Sequence, residues 1–189
     1  MFHSGLQSYL AKSNAFTRNT FILVTAFCTY FCAYGFRKPF TASTFQYDLS
    51  AYGLGQLDYK ILLIIAQVLG YTLAKFWGIK IISEVKKEAD GLVKYIIFLL
   101  SIAGLSWVFL ALVPPPYNVI FIFIYGFPLG LIWGLVFSFL EGRKHTEVLG
   151  TGLSASFIFA AAFSLQIGQF VLDWEVSEYW MPFYVCLIY

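Results

Sequence analysis

Long apolar stretches separated by short polar ones dominate the pattern along this chain of 189 residues. Five of these stretches approach or exceed the roughly 20 residues that a helix needs to cross a bilayer. They cover about residues 19–45, 59–82, 95–113, 117–140 and 149–172. A sixth begins near Trp180 and is still apolar at Tyr189. The pattern predicts an all-α, polytopic membrane bundle of about six transmembrane helices, the sixth incomplete.

Composition supports a membrane location for this bundle. Hydrophobic residues make up 60% of the chain and charged residues 12%, so there is too little polar surface to cover a soluble core of this size. No small-residue cleavage site follows a short apolar core near the amino terminus, so no removable signal peptide is predicted.

Basic residues lie mainly on one side of the predicted helices. That side has eight of them: Lys12, Arg18, Lys80, Lys86, Lys87, Lys94, Arg143 and Lys144. The opposite side has Lys60 and five carboxylates: Asp48, Asp58, Asp173, Glu175 and Glu178. Because loops rich in Lys and Arg stay in the cytoplasm, we expect a cytoplasmic amino terminus.

Two basic residues and a proline lie inside the first stretch, in the sequence YGFRKPF. On a continuous helix Arg37 would share one stripe with tyrosines and threonines, whereas Lys38 is rotated by about 100°. The stripe consists of Tyr30, Ala33, Tyr34, Arg37, Thr41 and Thr44. Pro39 cannot donate to the carbonyl of Gly35 and is expected to bend the helix.

Ionisable residues inside a membrane segment are candidates for function. One hypothesis is that Arg37 binds an anion in an aqueous cavity, because its planar guanidinium group suits carboxylate or phosphate. The other is that Arg37 and Lys38 snorkel to the outer headgroups. Gln67, in the second stretch, is expected to face the bundle interior, where it lines the path or links two helices. The candidate substrate-binding residues are Arg37, Lys38, Tyr34, Tyr30, Thr41 and Gln67.

Small residues in the fourth and fifth stretches predict close helix packing. Gly126, Gly130 and Gly134 are spaced four residues apart, which lets two backbones approach. The fifth stretch contains a run of Gly, Ala and Ser, which we interpret primarily as a packing surface and secondarily as a substrate contact.

Sequence signatures of catalysis are missing. The chain has no G-x-S-x-G elbow, no H-E-x-x-H pair, no phosphate-binding loop and no metal-ligand spacing. Its two histidines and three cysteines suggest neither a proton relay nor a disulfide framework. We predict that the protein is not an enzyme and uses no cofactor or metal. A nucleic-acid partner is not expected either, because no basic aromatic surface is present.

The arrangement of these stretches and loops resembles the amino-terminal half of a major facilitator superfamily transporter. YGFRKPF resembles the first-helix Arg-Lys motif of the organophosphate:inorganic phosphate antiporters, in which a first-helix arginine contacts the substrate phosphate. The chain also resembles the uncharacterised bacterial DUF5690 family in YFCAYGFRKPFTASTF, AQVLGYTLAKFWGIKIISE and EGRKHTEVLGTGLSASFI.

The resemblance implies a function and an organisation. Residues 1–189 would form the six-helix amino-terminal half of a transporter in a bacterial inner membrane, with the carboxy-terminal half missing. The protein would carry a small anionic solute, phosphorylated or carboxylated, by alternating access. The alternative is a transporter-like protein that no longer transports and acts as a membrane sensor or scaffold.

The chain departs from the superfamily at its cytoplasmic loop signature, Gly-x-Leu-Ala-Asp-Arg-x-Gly-Arg. Gly78 and Lys80 match it, but Lys75 stands where the aspartate would be. Lys75 either pairs with Glu84 or Glu141, or snorkels to the cytoplasmic headgroups. The candidate gating residues of the cytoplasmic loops are Lys75, Gly78, Lys80, Glu84, Glu141 and Arg143. The glycine-proline pair of the antiporters' fifth helix is also absent.

Overall fold

The computed structural model describes residues 13–53, 55, 57–84, 89–138 and 146–189. In these ranges the chain forms α-helices and two short 3-10 helices, and no strand. The α-helices are α1 Ala15–Gly35, α2 Tyr59–Glu84, α3 Ala89–Leu112, α4 Val119–Ser138, α5 Thr146–Asp173 and α6 Met181–Ile188. The 3-10 helices cover Pro39–Ala42 and Ser50–Tyr52. The predicted all-α architecture is confirmed.

Four of these helices are long and apolar enough to span a membrane, which makes the chain a membrane protein. The spans are Tyr59–Lys80, Gly91–Leu112, Val119–Ser138 and Gly150–Asp173, and each lies within one of α2 to α5. The first helix, α1, is of comparable length at 21 residues. It is less apolar than these four, because its first two turns contain Arg18 and Asn19.

The prediction of one continuous first helix to residue 45 is wrong. Helix α1 ends at Gly35, four residues before Pro39, whose ring has no N–H for the Gly35 carbonyl and would clash with it. Arg37 and Lys38 follow in a turn, and their amides both donate to the carbonyl of Tyr34, at 2.9 and 3.3 Å. The proline therefore ends the helix instead of bending it.

The predicted boundaries of the remaining helices hold within a few residues, with one exception. Helix α3 begins at Ala89, six residues before the apolar stretch, because a helix can extend beyond the hydrocarbon core with polar side chains such as Lys94. The three prolines from Pro114 separate α3 from α4, as expected for a proline run.

Helix α4 lies at the centre of the bundle and packs against α2, α3 and α1, while α1 packs against α5. The contact between α2 and α4 is a backbone contact. A Cβ on Gly70 would lie 2.1 Å from the carbonyl oxygen of Phe123, and one on Gly126 would lie 2.5 Å from that of Gln67. The predicted role of the α4 glycines in close packing is confirmed at Gly126 and Gly130.

Small residues of α5 face α1 and the segment that follows it. A Cβ on Gly152 would overlap the side chain of Leu23, and Gly168 lies against Ala42 and Pro39. Ser156, Ala160 and Ser164 are buried. The packing interpretation of this helix therefore agrees with the structure, and it brings α5 beside the YGFRKPF turn.

Candidate functional site

The turn after α1 directs the side chain of Arg37 back into the bundle. Its guanidinium carbon lies 5.8 Å from the ring centre of Tyr34 and 5.2 Å from that of Tyr71 on α2. Both distances are within the range of cation–π contacts. Tyr71 lies near the middle of the membrane span Tyr59–Lys80, so the guanidinium group lies deep in the bundle, near the level of that residue.

A second cation meets the same aromatic ring. The Nζ atom of Lys75 lies 4.6 Å from the ring centre of Tyr71. The guanidinium carbon of Arg37 lies 5.2 Å from the same ring centre, so the two cationic groups are no more than about 10 Å apart. Gln67, Tyr71 and Lys75 follow each other at four-residue intervals on α2, and therefore share one face of that helix.

Neither cation is neutralised by a carboxylate in the described part of the chain. The carboxylates of Asp48, Asp58 and Glu178 accept hydrogen bonds in the loops that join α1 to α2 and α5 to α6. Each cation–π contact contributes about 0.5–2 kcal/mol, less for an exposed group such as Lys75. The tyrosine rings thus stabilise two positive charges without cancelling them.

A small cavity adjoins Arg37 on its α1 and α4 side. It is lined by Tyr30, Ala33, Tyr34, Arg37, Leu129 and Ile132. Its volume of about 10 Å³ corresponds to one water molecule. In this conformation the cavity is too small for a phosphate or a dicarboxylate.

The peptide unit before Arg37 is anchored by side chains from two other helices. The carbonyl of Phe36 accepts hydrogen bonds from the indole Nε1 of Trp107 on α3, at 3.2 Å, and from the hydroxyl of Tyr125 on α4. Trp107 and Tyr125 are both fully buried. The contact therefore joins the end of α1 to α3 and α4.

The segment that follows the motif is held by one basic and one acidic side chain. Lys60 Nζ donates to the carbonyls of Thr41, at 3.3 Å, and Ser43, at 2.6 Å. Glu178, between α5 and α6, accepts from the Thr44 hydroxyl at 2.8 Å and from the Phe45 amide at 2.6 Å. Burial and the neighbouring Glu178 carboxylate raise the pKa of Tyr179 above its ordinary value.

The model of one protein family, described as "Family of unknown function (DUF5690)", matches residues 39–189. The chain belongs to the DUF5690 family. No curated protein and no solved structure matches the chain.

The part of this DUF5690 chain that the family model covers includes Tyr71, Lys75, Trp107 and Tyr125. Arg37 lies two positions before the match begins. The α2 contribution to the site is therefore within the matched region, whereas the arginine and the tyrosines of α1 are outside it.

The structure brings together some of the predicted site residues and separates others. Tyr30, Tyr34 and Arg37 line the cavity. Thr41 lies beyond the break, where its hydroxyl donates to the carbonyl of Lys38 at 2.6 Å, so it does not share a helical stripe with Arg37. The side chain of Lys38 is half-buried.

Gln67 faces the bundle interior, as expected, but its Nε2 atom is buried and has no hydrogen-bond partner among the described residues. This amide nitrogen therefore does not link two helices. Of the gating candidates, Gly78 is buried and Lys80 is exposed on α2. Glu84 ends α2, but its side chain lies outside the described residues, as do Glu141 and Arg143.

The sequence predicts Lys75 as a gating residue of the cytoplasmic loops and gives no role to Tyr71. Helical spacing from Gln67 was the available signal, because residues at intervals of four lie on one face. What that spacing could not reveal is which helix this face meets. Only the placement of α2 beside the end of α1 brings Tyr71 and Lys75 to Arg37.

Proposed function

We propose that this DUF5690 protein is a secondary active transporter that carries a small anionic solute by alternating access. Arg37 and Lys75 would bind the anionic group, and Tyr30, Tyr34 and Tyr71 would line its site. The observation that carries the proposal is the pair of cations on the ring of Tyr71, with no carboxylate neutralising either one in the described ranges.

Electrostatics favours an anion between these two cations. Two like charges no more than about 10 Å apart repel by at least about 1.7 kcal/mol at an effective dielectric constant of about 20, and solvent around the exposed Lys75 lowers this value. An anion that contacts both cations adds two attractions at shorter distance, which outweigh the repulsion. Arg37 adds a planar pair of donors that suits phosphate and carboxylate oxygens. A doubly charged group, such as a phosphate ester, satisfies both cations at once.

Binding such a group requires the helices to move, because the cavity beside Arg37 holds one water. This requirement is consistent with alternating access, in which a central site opens by rearrangement of helices.

The proposal includes the wider organisation expected from the sequence. The amino terminus would be cytoplasmic, the membrane would be a bacterial inner membrane, and the chain would correspond to the amino-terminal half of a major facilitator transporter. The distribution of Lys and Arg supports this orientation. Resemblance of YGFRKPF to the phosphate-ester antiporters supports the substrate class.

Uptake into proteoliposomes tests the proposal. The full-length protein would be offered radiolabelled inorganic phosphate, phosphate esters and dicarboxylates, with the same anions inside to allow exchange. We expect Arg37→Ala to lower the apparent affinity for the transported anion about tenfold to a hundredfold, as for a lost charge-assisted contact. Lys75→Ala should have a smaller effect, because this side chain is exposed. Lys94→Ala, which removes an exposed lysine at the start of α3, is the matched control.

Equal effects of the Arg37 and Lys94 variants would contradict an anion site at Arg37. If the wild-type protein moved none of these anions but retained a protein partner in the membrane, the sensor or scaffold alternative would replace transport.

A further inference from the structure

We infer that Trp107 and Tyr125 are positioning residues for Arg37. They hold the peptide unit between Phe36 and Arg37 in one orientation, and thereby direct the guanidinium group towards the ring of Tyr71. The inference rests on the proposed function, since it assigns the residues that prepare the anion site. It adds two fully buried side chains, from α3 and α4, that do not themselves line the cavity.

The acceptor is available because α1 ends early. In a continuing helix the carbonyl of Phe36 would accept from the amide of Phe40. Pro39 ends the helix at Gly35, so the last carbonyls need other partners. Trp107 Nε1 and the Tyr125 hydroxyl both donate to the Phe36 carbonyl. A carbonyl oxygen has two lone pairs and can accept both bonds.

Two donors restrict the rotation of this peptide unit more than a single donor would. The ring centres of Trp107 and Tyr125 are 4.2 Å apart, at an interplanar angle of 48°, so the two donors come from one packed aromatic pair. Trp107 also stacks on Phe40, at 5.9 Å, on the other side of the break. Rotation of the Phe36–Arg37 peptide would break both hydrogen bonds inside a closed core, where an unpaired carbonyl is costly.

The direction of Arg37 follows from this anchoring. Its backbone nitrogen belongs to the anchored peptide unit and donates to the Tyr34 carbonyl at 2.9 Å. With both atoms of this peptide bonded, the side chain starts from a defined point and needs only its own rotamers to reach Tyr71. Preorganisation of this kind raises affinity by reducing the entropy lost on binding.

The test compares Tyr125→Phe and Trp107→Phe with Tyr59→Phe in the full-length protein. Tyr59 is a matched control because it is also fully buried and its hydroxyl bonds to Asn118, near the outer ends of α2 and α4. Inorganic phosphate is the probe, and its dissociation constant is measured by equilibrium binding in detergent. We expect Tyr125→Phe and Trp107→Phe each to weaken binding roughly fivefold to tenfold, the equivalent of one ordinary hydrogen bond. Tyr59→Phe should lower the thermal stability about as much as these two variants do, but should leave the dissociation constant for phosphate unchanged.

A double-mutant cycle separates positioning from general destabilisation. In an Arg37→Ala background, Tyr125→Phe should have no further effect on phosphate affinity, because the residue that it positions is gone. An undiminished effect in that background would overturn the inference. So would equal losses of affinity in the Tyr125 and Tyr59 variants.

A second readout does not depend on phosphate. Phenylglyoxal modifies arginine side chains, and its rate of reaction at Arg37 is followed by peptide mass spectrometry. The rate should change at least twofold in Tyr125→Phe and Trp107→Phe and stay at the wild-type value in Tyr59→Phe. If wild-type protein binds none of inorganic phosphate, phosphate esters and dicarboxylates, the proposed function fails, and the labelling rates alone decide whether the side chain is positioned. Unchanged rates in all three variants would overturn the positioning role.

Discussion

Replacing Glu178 by alanine should release the segment after α1 from the loop between α5 and α6. In the native protein the two carboxylate oxygens of Glu178 accept from Thr44 and from the amide of Phe45, across 133 positions of sequence. The Phe45 ring is fully buried, stacked on Phe40 at 5.0 Å and edge-on to Tyr179 at 5.4 Å. Its backbone has φ of 51°, a left-handed conformation that disfavours a bulky residue.

The expected cost follows from these contacts. A hydrogen bond to a charged group contributes about 1.5–3 kcal/mol, and the exposed Thr44 contact contributes less than the part-buried amide contact. We therefore expect Glu178→Ala to lower the free energy of unfolding by about 2–3 kcal/mol. For a chain of this size that corresponds to a fall of roughly 5–10 °C in the unfolding midpoint. Glu178→Gln should lose about 1 kcal/mol, because the amide oxygen can accept from Phe45 while Thr44 turns to accept from the amide nitrogen.

The assay is thermal unfolding in detergent, followed by the near-ultraviolet circular dichroism of the aromatic residues. Glu175→Gln is the matched control, since it removes the same charge from an exposed side chain in the same loop. The stability order should be Glu175→Gln near wild type, then Glu178→Gln, then Glu178→Ala. Equal midpoints for Glu178→Ala and Glu175→Gln would refute the reasoning.

Two further predictions concern helix packing and pH. Gly126→Ala should lower the free energy of unfolding by about 1–3 kcal/mol, because the added methyl would lie 2.5 Å from the carbonyl oxygen of Gln67 on α2. Chemical denaturation measures this loss. Gly104→Ala is the control, since its added methyl would meet only a ring atom at 3.9 Å, and an equally large loss there would contradict the prediction. Burial and Glu178 raise the pKa of the Tyr179 hydroxyl in the folded protein. The contribution of this hydroxyl to stability should therefore be fully present below its ordinary pKa of about 10, and should be lost as the pH rises through its pKa in the folded protein. An ultraviolet pH titration should show the pKa of Tyr179 falling in Glu178→Gln, and an unchanged titration would be the contrary result.

Local features of the sequence were sufficient to predict the helices. A membrane segment needs a run of apolar residues of fixed length, so hydropathy locates α2, α4 and α5 within a few residues and α3 except for its polar first turns. The end of α1 could also have been predicted at Gly35, because the steric conflict of Pro39 with the carbonyl four residues earlier is a local rule. A continuous helix was nevertheless expected, since apolar residues continue past the proline to Phe45.

The candidate site could be predicted only in part. Tyr30, Tyr34 and Arg37 lie within two turns of each other, so helical spacing alone placed them together. Gln67 was recognised as a polar group in a membrane segment. Tyr71 was not a candidate, and Lys75 was one only as a gating residue, because local spacing shows which residues share a face, and not which helix that face meets.

The sequence by itself determined that this chain is a membrane protein built of apolar helices, with two basic residues, Arg37 and Lys38, within its first apolar stretch. Local chemistry is enough for that, because backbone hydrogen bonds in lipid must be closed within each segment. Tertiary structure decided the rest: that Arg37 and Lys75 both meet the ring of Tyr71, that Trp107 and Tyr125 hold the Phe36 carbonyl, and that Glu178 holds Phe45. These contacts join residues far apart in sequence, and they depend on which helices the small residues allow to pack closely.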